Sequence, residues 1–317
     1  MEKSLSVSVT TASQHQGVHD PRPARHYSPG WGTAFDLVRK GTGELRVKVL
    51  LIGGAGAVGS YLSTHLRARH RVRVLDRLAP ANASPQNAGP HNAGPHNAGP
   101  HNAHRVTYLE GDAREPSDVQ GAMQGCDVVV HLAAVVPRNR EGDADGDVQQ
   151  AFAVNVASVH LSLQLAARAG VTRLIHISSM SVYHRYGREP VDVTQPPDAS
   201  KPYGLTKRLA EEVCKSSVHL PGLTVCSLRL AFPTPDADWP LWRPPHGRQQ
   251  PTLRTRGDGI PLHALSASDL AGGLEAAIDY SGPYRAFCLL GDDDGRSVIG
   301  DDTATVLGWR PTRRPSG

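Results

Sequence analysis

The sequence predicts an α/β protein, a doubly wound parallel sheet with a small C-terminal lobe, and three observations carry that prediction. Short apolar runs alternate with segments of helical periodicity along most of the chain. Those runs are continuous in Val, Leu and Ile, as strands buried on both faces require. The first of them opens into a turn in which glycine recurs at every third residue.

Bulk properties set the bounds. The chain has 317 residues, of which 39% are hydrophobic and 20% charged, the balance of an ordinary globular protein. That length holds one large α/β domain with an appendage. The formal net charge of +4 is thinly spread, with no Lys/Arg block of the kind that tracks phosphates, so nucleic acid is not an expected partner. No apolar run approaches the roughly 18 to 20 residues that span a bilayer, so no membrane is expected either. The first twenty residues lack the basic and apolar regions of a secretory signal. Cys126, Cys214, Cys226 and Cys288 lie far apart with no C-x-x-C pair, which fits buried, reduced thiols in a cytoplasmic protein.

Residues 1–45 are rich in Ser, Thr, His, Pro and Gly and read as a flexible N-terminal extension, with one short helix expected over Thr33–Lys40. A domain of residues 46–230 follows. Val47–Ile52 is its first strand; a glycine turn, a helix through Tyr61, Leu62, His65 and Leu66, and the strand Arg71–Asp76 complete a β-α-β unit. Residues 79–104 then interrupt the pattern. Asn-Ala-Gly-Pro-His recurs from Asn87, Asn92 and Asn97, and Gly-Pro at every fifth residue forbids helix and strand. Nothing rigid fixes the repeat histidines relative to one another, so the segment reads as a solvated loop insertion rather than a metal site. Regular structure resumes with the strand Val106–Asp112, a helix near Pro116–Met123 and the strand Asp127–Ala133. A long helix over Val148–Ala169 is expected to stop at Gly170. The strand Arg173–Ser179, a helix through Tyr203–Cys214 and the strand Thr224–Leu230 close the domain. Residues 231–317 form the small lobe: a Pro/Trp-rich loop, a helix near Ser268–Ile278, a strand at Arg285–Leu290 and a last short helix ending at Leu307.

The turn Gly53-Gly54-Ala55-Gly56-Ala57-Val58-Gly59 has chemical meaning because it joins a strand to a helix. Gly53 permits the tight turn, Gly56 lets a pyrophosphate approach the backbone, and Gly59 lets the helix pack closely. The helix start, with Ala57 and Val58, presents N–H groups and a positive dipole end to the phosphates. Asp76, at the end of the second strand, is placed to accept the adenosine ribose hydroxyls and to repel a 2′-phosphate, which points to NAD. Arg77 beside it leaves NADP possible. This is the Rossmann arrangement. Farther on, Tyr203 and Lys207 stand at i and i+4, on one helix face. A tyrosine with an ordinary pKa near ~10 is a poor base, and a neighbouring ammonium stabilises its phenolate.

With these pieces in order, the chain resembles the extended short-chain dehydrogenases, the NAD-dependent epimerase/dehydratase family. The resemblance rests on Gly53–Gly59, Leu109–Ala113, His131–Ala134, Asn155–Val156, Ser178–Tyr183, Tyr203–Lys207 and Leu228–Pro233, and extends over about Val47–Pro311. It implies that Asp112 and Ala113 flank the adenine, that Leu132, Ala133 and Ala134 line the cofactor, and that Asn155 sits near the nicotinamide half. Lys207 is expected to bond the nicotinamide ribose and Ser179 to orient the reacting C–O group. Family dehydratases carry Asp-Glu where this chain has Met180-Ser181, so water elimination is not expected.

The stretch after Tyr203 is short for a nucleotide-sugar lobe and suggests a compact substrate. The tail resembles uronate dehydrogenases, although the nearest candidate for their substrate-binding arginine is Arg243. Trp239 and Trp242 are candidates for a wall against a sugar ring or for simple loop packing. The expected function is NAD(P)-dependent hydride transfer to or from a carbinol/carbonyl pair of a small substrate. A sugar epimerase using the same Ser179, Tyr203 and Lys207 is the alternative, a non-catalytic NAD-binding regulator the second, and a homodimer is in keeping with the family.

Overall fold

In the computed structural model the first apolar run becomes strand β1 (Lys48–Ile52), an interior strand of a seven-stranded sheet. The structure describes residues 47–78, 106–137, 144–244, 250–292 and 295–314. The expected helix at Thr33–Lys40 and the pentad repeat lie outside them. The other strands are β2 (Arg71–Asp76), β3 (Thr107–Glu110), β4 (Val128–His131), β5 (Arg173–Ser179), β6 (Thr224–Leu230) and β7 (Arg285–Leu289). Their order is β3-β2-β1-β4-β5-β6-β7 and every pair is parallel. The strand order reverses between β1 and β4. In an open sheet of this kind that switch point leaves a crevice beyond the carboxyl ends of the strands.

Alternation along β1 sorts its side chains to two cores. Val49 and Leu51 pack with helices α1 (Ala57–Leu66) and α6 (Ala267–Asp279) through Leu62, Leu66, Leu270 and Leu274. Leu50 and Ile52 face the other way, onto α2 (Pro116–Met123), α4 (Ser158–Arg168) and α5 (Pro202–Lys215) through Val119, Leu163 and Ala210. Helices therefore cover both faces of the sheet.

Two departures from the sequence reading matter for the site. The expected helix Val148–Ala169 is three pieces: α3 (Ala144–Phe152), a π turn (Ala153–Ala157) and α4. Gly170, at φ +72°, closes α4 as expected. The Pro/Trp-rich stretch after β6 also holds two-residue strands. Pro233–Thr234 pairs with Leu265–Ser266, and Arg254–Thr255 pairs with Pro261–Leu262.

Candidate active site

The glycines of the first turn answer to different constraints. Gly53 has φ +80°, and a Cβ there would fall 2.4 Å from the Ala133 Cα. A Cβ on Gly59 would stand 2.3 Å from the Gly54 carbonyl oxygen, so at Gly59 the first turn of α1 packs against the glycine turn itself. Gly56 is free of such contacts, the nearest atom to its Cβ position being 3.8 Å away, and it is exposed. It is also the N-cap of α1 and no side chain caps it. The N–H groups that open α1 thus lack helical partners and border a cleft of about 400 Å³.

That cleft lies at the switch point. Its walls are Gly53, Gly56, Ala57, Val58 and Gly59 after β1, Asp76 and Arg77 after β2, Asp112 and Ala113 after β3, and Leu132, Ala133 and Ala134 after β4. All twelve are residues the sequence marks. Gly111, inside the marked segment Leu109–Ala113, joins them, as do Leu78, Val135, Gln150 and Val154, which no spacing in the sequence distinguishes. Asp76 braces the turn: one carboxylate oxygen accepts the Ala55 N–H at 2.9 Å and the other the Leu78 N–H at 3.2 Å. The Asp112 carboxyl is held below the usual carboxylate range, first by hydrogen bonds from Arg114 and more weakly by the Arg77 charge. Unpartnered N–H groups beside an exposed glycine, with an acid at the end of β2, form a cradle that fits a dinucleotide.

Ser179 ends β5, and Tyr203 and Lys207 lie on α5. Gly204 brings that helix in: a Cβ there would be 2.2 Å from the Ser181 carbonyl oxygen, in the tight turn Met180–Val182 that follows β5. The sequence marks the segment Tyr203–Lys207 but assigns this glycine no role of its own. The close approach brings the start of α5, and with it Tyr203, up to the end of β5 where Ser179 stands. Burial pushes the phenol above its ordinary pKa and Ser179 pulls it partly back. Ser179 also donates to the Ser181 hydroxyl at 3.0 Å and accepts the Ser181 N–H at 3.1 Å.

One turn on, the buried Lys207 ammonium donates to the Ile177 carbonyl at 2.8 Å, and burial brings its pKa down to about 8. Beneath it, His131 and His176 are register neighbours on β4 and β5, and burial followed by the Lys207 charge keeps both neutral at ordinary pH. A further turn on, Glu211 accepts from Ser178 at 2.6 Å and from Arg229 at 3.0 and 2.7 Å. Tyr203, Lys207 and Glu211 form one stripe along α5, each engaged with β5 or β6.

Asn155, expected near the nicotinamide half, is placed between the cleft wall and α5. It lies in the π turn, wholly buried, and does not line the cleft. Its amide accepts the Val135 N–H at 2.7 Å and donates to the Val135 carbonyl and the Thr206 hydroxyl, both at 2.9 Å. Its bond capacity goes to protein, so it positions the cleft wall instead of touching its contents. Arg243, the nearest candidate for a substrate-binding arginine, has its guanidinium paired with Asp238 of its own loop. His184 is exposed, and its backbone N–H bonds Asp198.

A parallel sheet with helices on both faces, a cradle at its switch point and a Ser–Tyr pair at the end of β5 define a Rossmann-type protein of the short-chain dehydrogenase class. A model of the NAD dependent epimerase/dehydratase family matches residues 49–233, more than half of the chain, and the chain belongs to that family. It is 26% identical over 170 residues to a UDP-glucose 4-epimerase of Neisseria meningitidis serogroup C, an alignment covering 52% of this chain and 47% of the epimerase. It is 31% identical over 192 residues to a 3 beta-hydroxysteroid dehydrogenase/Delta 5-->4-isomerase of Mycobacterium tuberculosis, covering 57% and 46%. The chain spans about half the length of these curated relatives. Among solved structures, a mutated uronate dehydrogenase shares the fold with a TM-score of 0.61 at 19% identity, over 84% of this chain and 82% of that one. Among the described residues no helix is long and apolar enough to cross a membrane.

Proposed function

We propose that this chain is an NAD(P)-dependent oxidoreductase acting on a carbinol/carbonyl pair of a small substrate, with NAD preferred. The observation that carries the reading is the packing of α5 at Gly204 onto the turn after β5, which sets Tyr203 beside the strand end bearing Ser179, with Lys207 one turn along and bonded to the Ile177 carbonyl. Residues 46–230 would hold the cofactor and residues 231–317 the substrate. The α1 N-terminus with Gly53, Gly56, Ala57, Val58 and Gly59 would take the pyrophosphate, Asp76 the adenosine ribose, and Asp112 and Ala113 the adenine. Leu132, Ala133 and Ala134 would line the rest, and Lys207 would bond the nicotinamide ribose.

When bound, the nicotinamide supplies a two-electron hydride acceptor or donor. Ser179 orients the substrate oxygen and Tyr203 takes or returns its proton. Lys207 places a positive charge on that side of α5 and favours the phenolate. A cytoplasmic setting is supported by four buried free cysteines, and a homodimer by the family resemblance.

The test is a substrate screen following the near-ultraviolet absorbance of reduced nicotinamide, run with Tyr203→Phe alongside. Turnover in the wild type should change absorbance in step with product, and the variant should lose about 10²–10⁴-fold in rate while still binding NADH. Full activity in Tyr203→Phe would remove the residue from its proposed role. One relative is a UDP-glucose 4-epimerase, and that second reading predicts conversion at constant absorbance.

A further inference from the structure

Beyond the carboxyl end of β6 the fold holds a guanidinium that it does not use. Leu230, the last residue of β6, pairs with Ser179, so Phe232 stands just past the proposed reaction centre. Among the described residues Phe232 is the one non-glycine with a positive φ, 50°, a strained conformation for a bulky side chain. The strain is held in place. Leu265 N–H donates to the carbonyls of Ala231 and Phe232 at 3.3 and 3.2 Å. The Phe232 ring stacks on Tyr186 with centroids 5.9 Å apart and tilts onto Trp242 at 5.4 Å. Arg254 completes the cluster, its guanidinium 5.5 Å from the ring centres of both Phe232 and Trp242.

Other described arginines of this lobe are paired with carboxylates. Arg243 is paired with Asp238, Arg256 with Asp258 and Arg313 with Asp236. Arg254 is exposed and, among the described residues, has no carboxylate partner. Two rings hold its guanidinium carbon 5.5 Å from their centres and take none of its N–H groups as carboxylate partners would. A planar fork held against two rings, with no carboxylate partner among the described residues, is suited to a carboxylate or phosphate.

We propose that Arg254 is the anion-recognition residue of the substrate site, so that the substrate is a small alcohol carrying a carboxylate or phosphate group. Its body lies on the wall formed by Phe232 and Trp242. This deepens the redox reading of the site and rests on it for the position of the reacting hydroxyl.

Calorimetric titration of the NADH-loaded protein with glucuronate, a glucose monophosphate and glucose itself tests the assignment as binding, whether or not the probe is oxidised. At low salt one of the two anions should bind roughly tenfold tighter than glucose or better. Arg254→Gln should erase that margin while NADH affinity and melting temperature stay at wild-type values. Arg254→Lys, which keeps the charge but not the fork, should retain only part of it. Glucuronate ahead identifies a carboxylate substrate, the monophosphate ahead a phosphorylated one. Equal binding of the three probes, no binding of any, or a full margin in Arg254→Gln overturns the assignment. Failure of the redox reading is seen separately, as unchanged activity in Tyr203→Phe.

Discussion

The Asn155 amide donates to the Thr206 hydroxyl at 2.9 Å, and Thr206 in turn donates to the Tyr203 carbonyl at 2.8 Å. With the paired bonds to Val135, one buried side chain ties together the π turn, α5 and the chain leaving β4. The π turn, which displaces one residue from the helical ladder, supplies this amide at the one point where the three elements converge.

Asn155→Ala would leave the half-buried Val135 N–H and carbonyl, at the cleft wall, and the buried Thr206 hydroxyl without their Asn155 partner. A loss of about 2–4 kcal/mol in unfolding free energy is expected, together with weaker NADH binding through the displaced wall. Urea unfolding with and without NADH measures both. A loss under about 1 kcal/mol with unchanged NADH affinity would show that the amide is dispensable.

Asp76 already braces the glycine turn through Ala55, so its charge and its hydrogen-bonding role can be separated. The wild type should bind NAD(H) more tightly than NADP(H). Asp76→Asn keeps an acceptor for the Ala55 N–H but removes the repulsion of a 2′-phosphate, and the preference should narrow. Calorimetry with both cofactors reads the ratio; a wild type that prefers NADP(H) would make Arg77 the governing residue.

Lys207 predicts a signature in stability against pH. Burial brings its pKa from 10.5 down to about 8 in the folded protein. Between those values the unfolded chain binds more protons, so this residue's contribution to stability rises with pH across that window and is flat below it. His131, held at about 3 by burial, does not titrate there. The unfolding free energy of the wild type minus that of Lys207→Met should therefore increase from pH about 8 to about 10.5. A flat difference would mean that the ammonium is hydrated in the folded state.

Much of this arrangement is legible in the sequence because parallel strands buried on both faces read as apolar runs. Arg71–Asp76, Arg173–Ser179 and Thr224–Leu230 match the expected strands residue for residue. The glycine turn is legible because each of its steric demands falls on a local spacing. The π turn is not, since one extra residue in a helical turn barely changes the apolar pattern around Asn155. Two-residue strands such as Val191–Asp192 and Val298–Ile299 are too short to show a period. The Tyr186–Phe232–Trp242–Arg254 cluster draws on segments far apart in the chain, so no spacing announces it. Gly204 declares its purpose only once the Ser181 carbonyl is known to lie against it.

The stripe Tyr203, Lys207 and Glu211 has a one-turn pitch along α5, and each tooth meshes with a separate groove: Ser179, the Ile177 carbonyl, and Ser178 with Arg229. Removing a single residue between two teeth would turn everything downstream by about 100° about the helix axis and unmesh the rest. Side-chain exchange on the outer face of α5 leaves the rack engaged, whereas any change in its length between Tyr203 and Glu211 disengages it. Over the course of its history this helix can vary freely in composition but hardly at all in count.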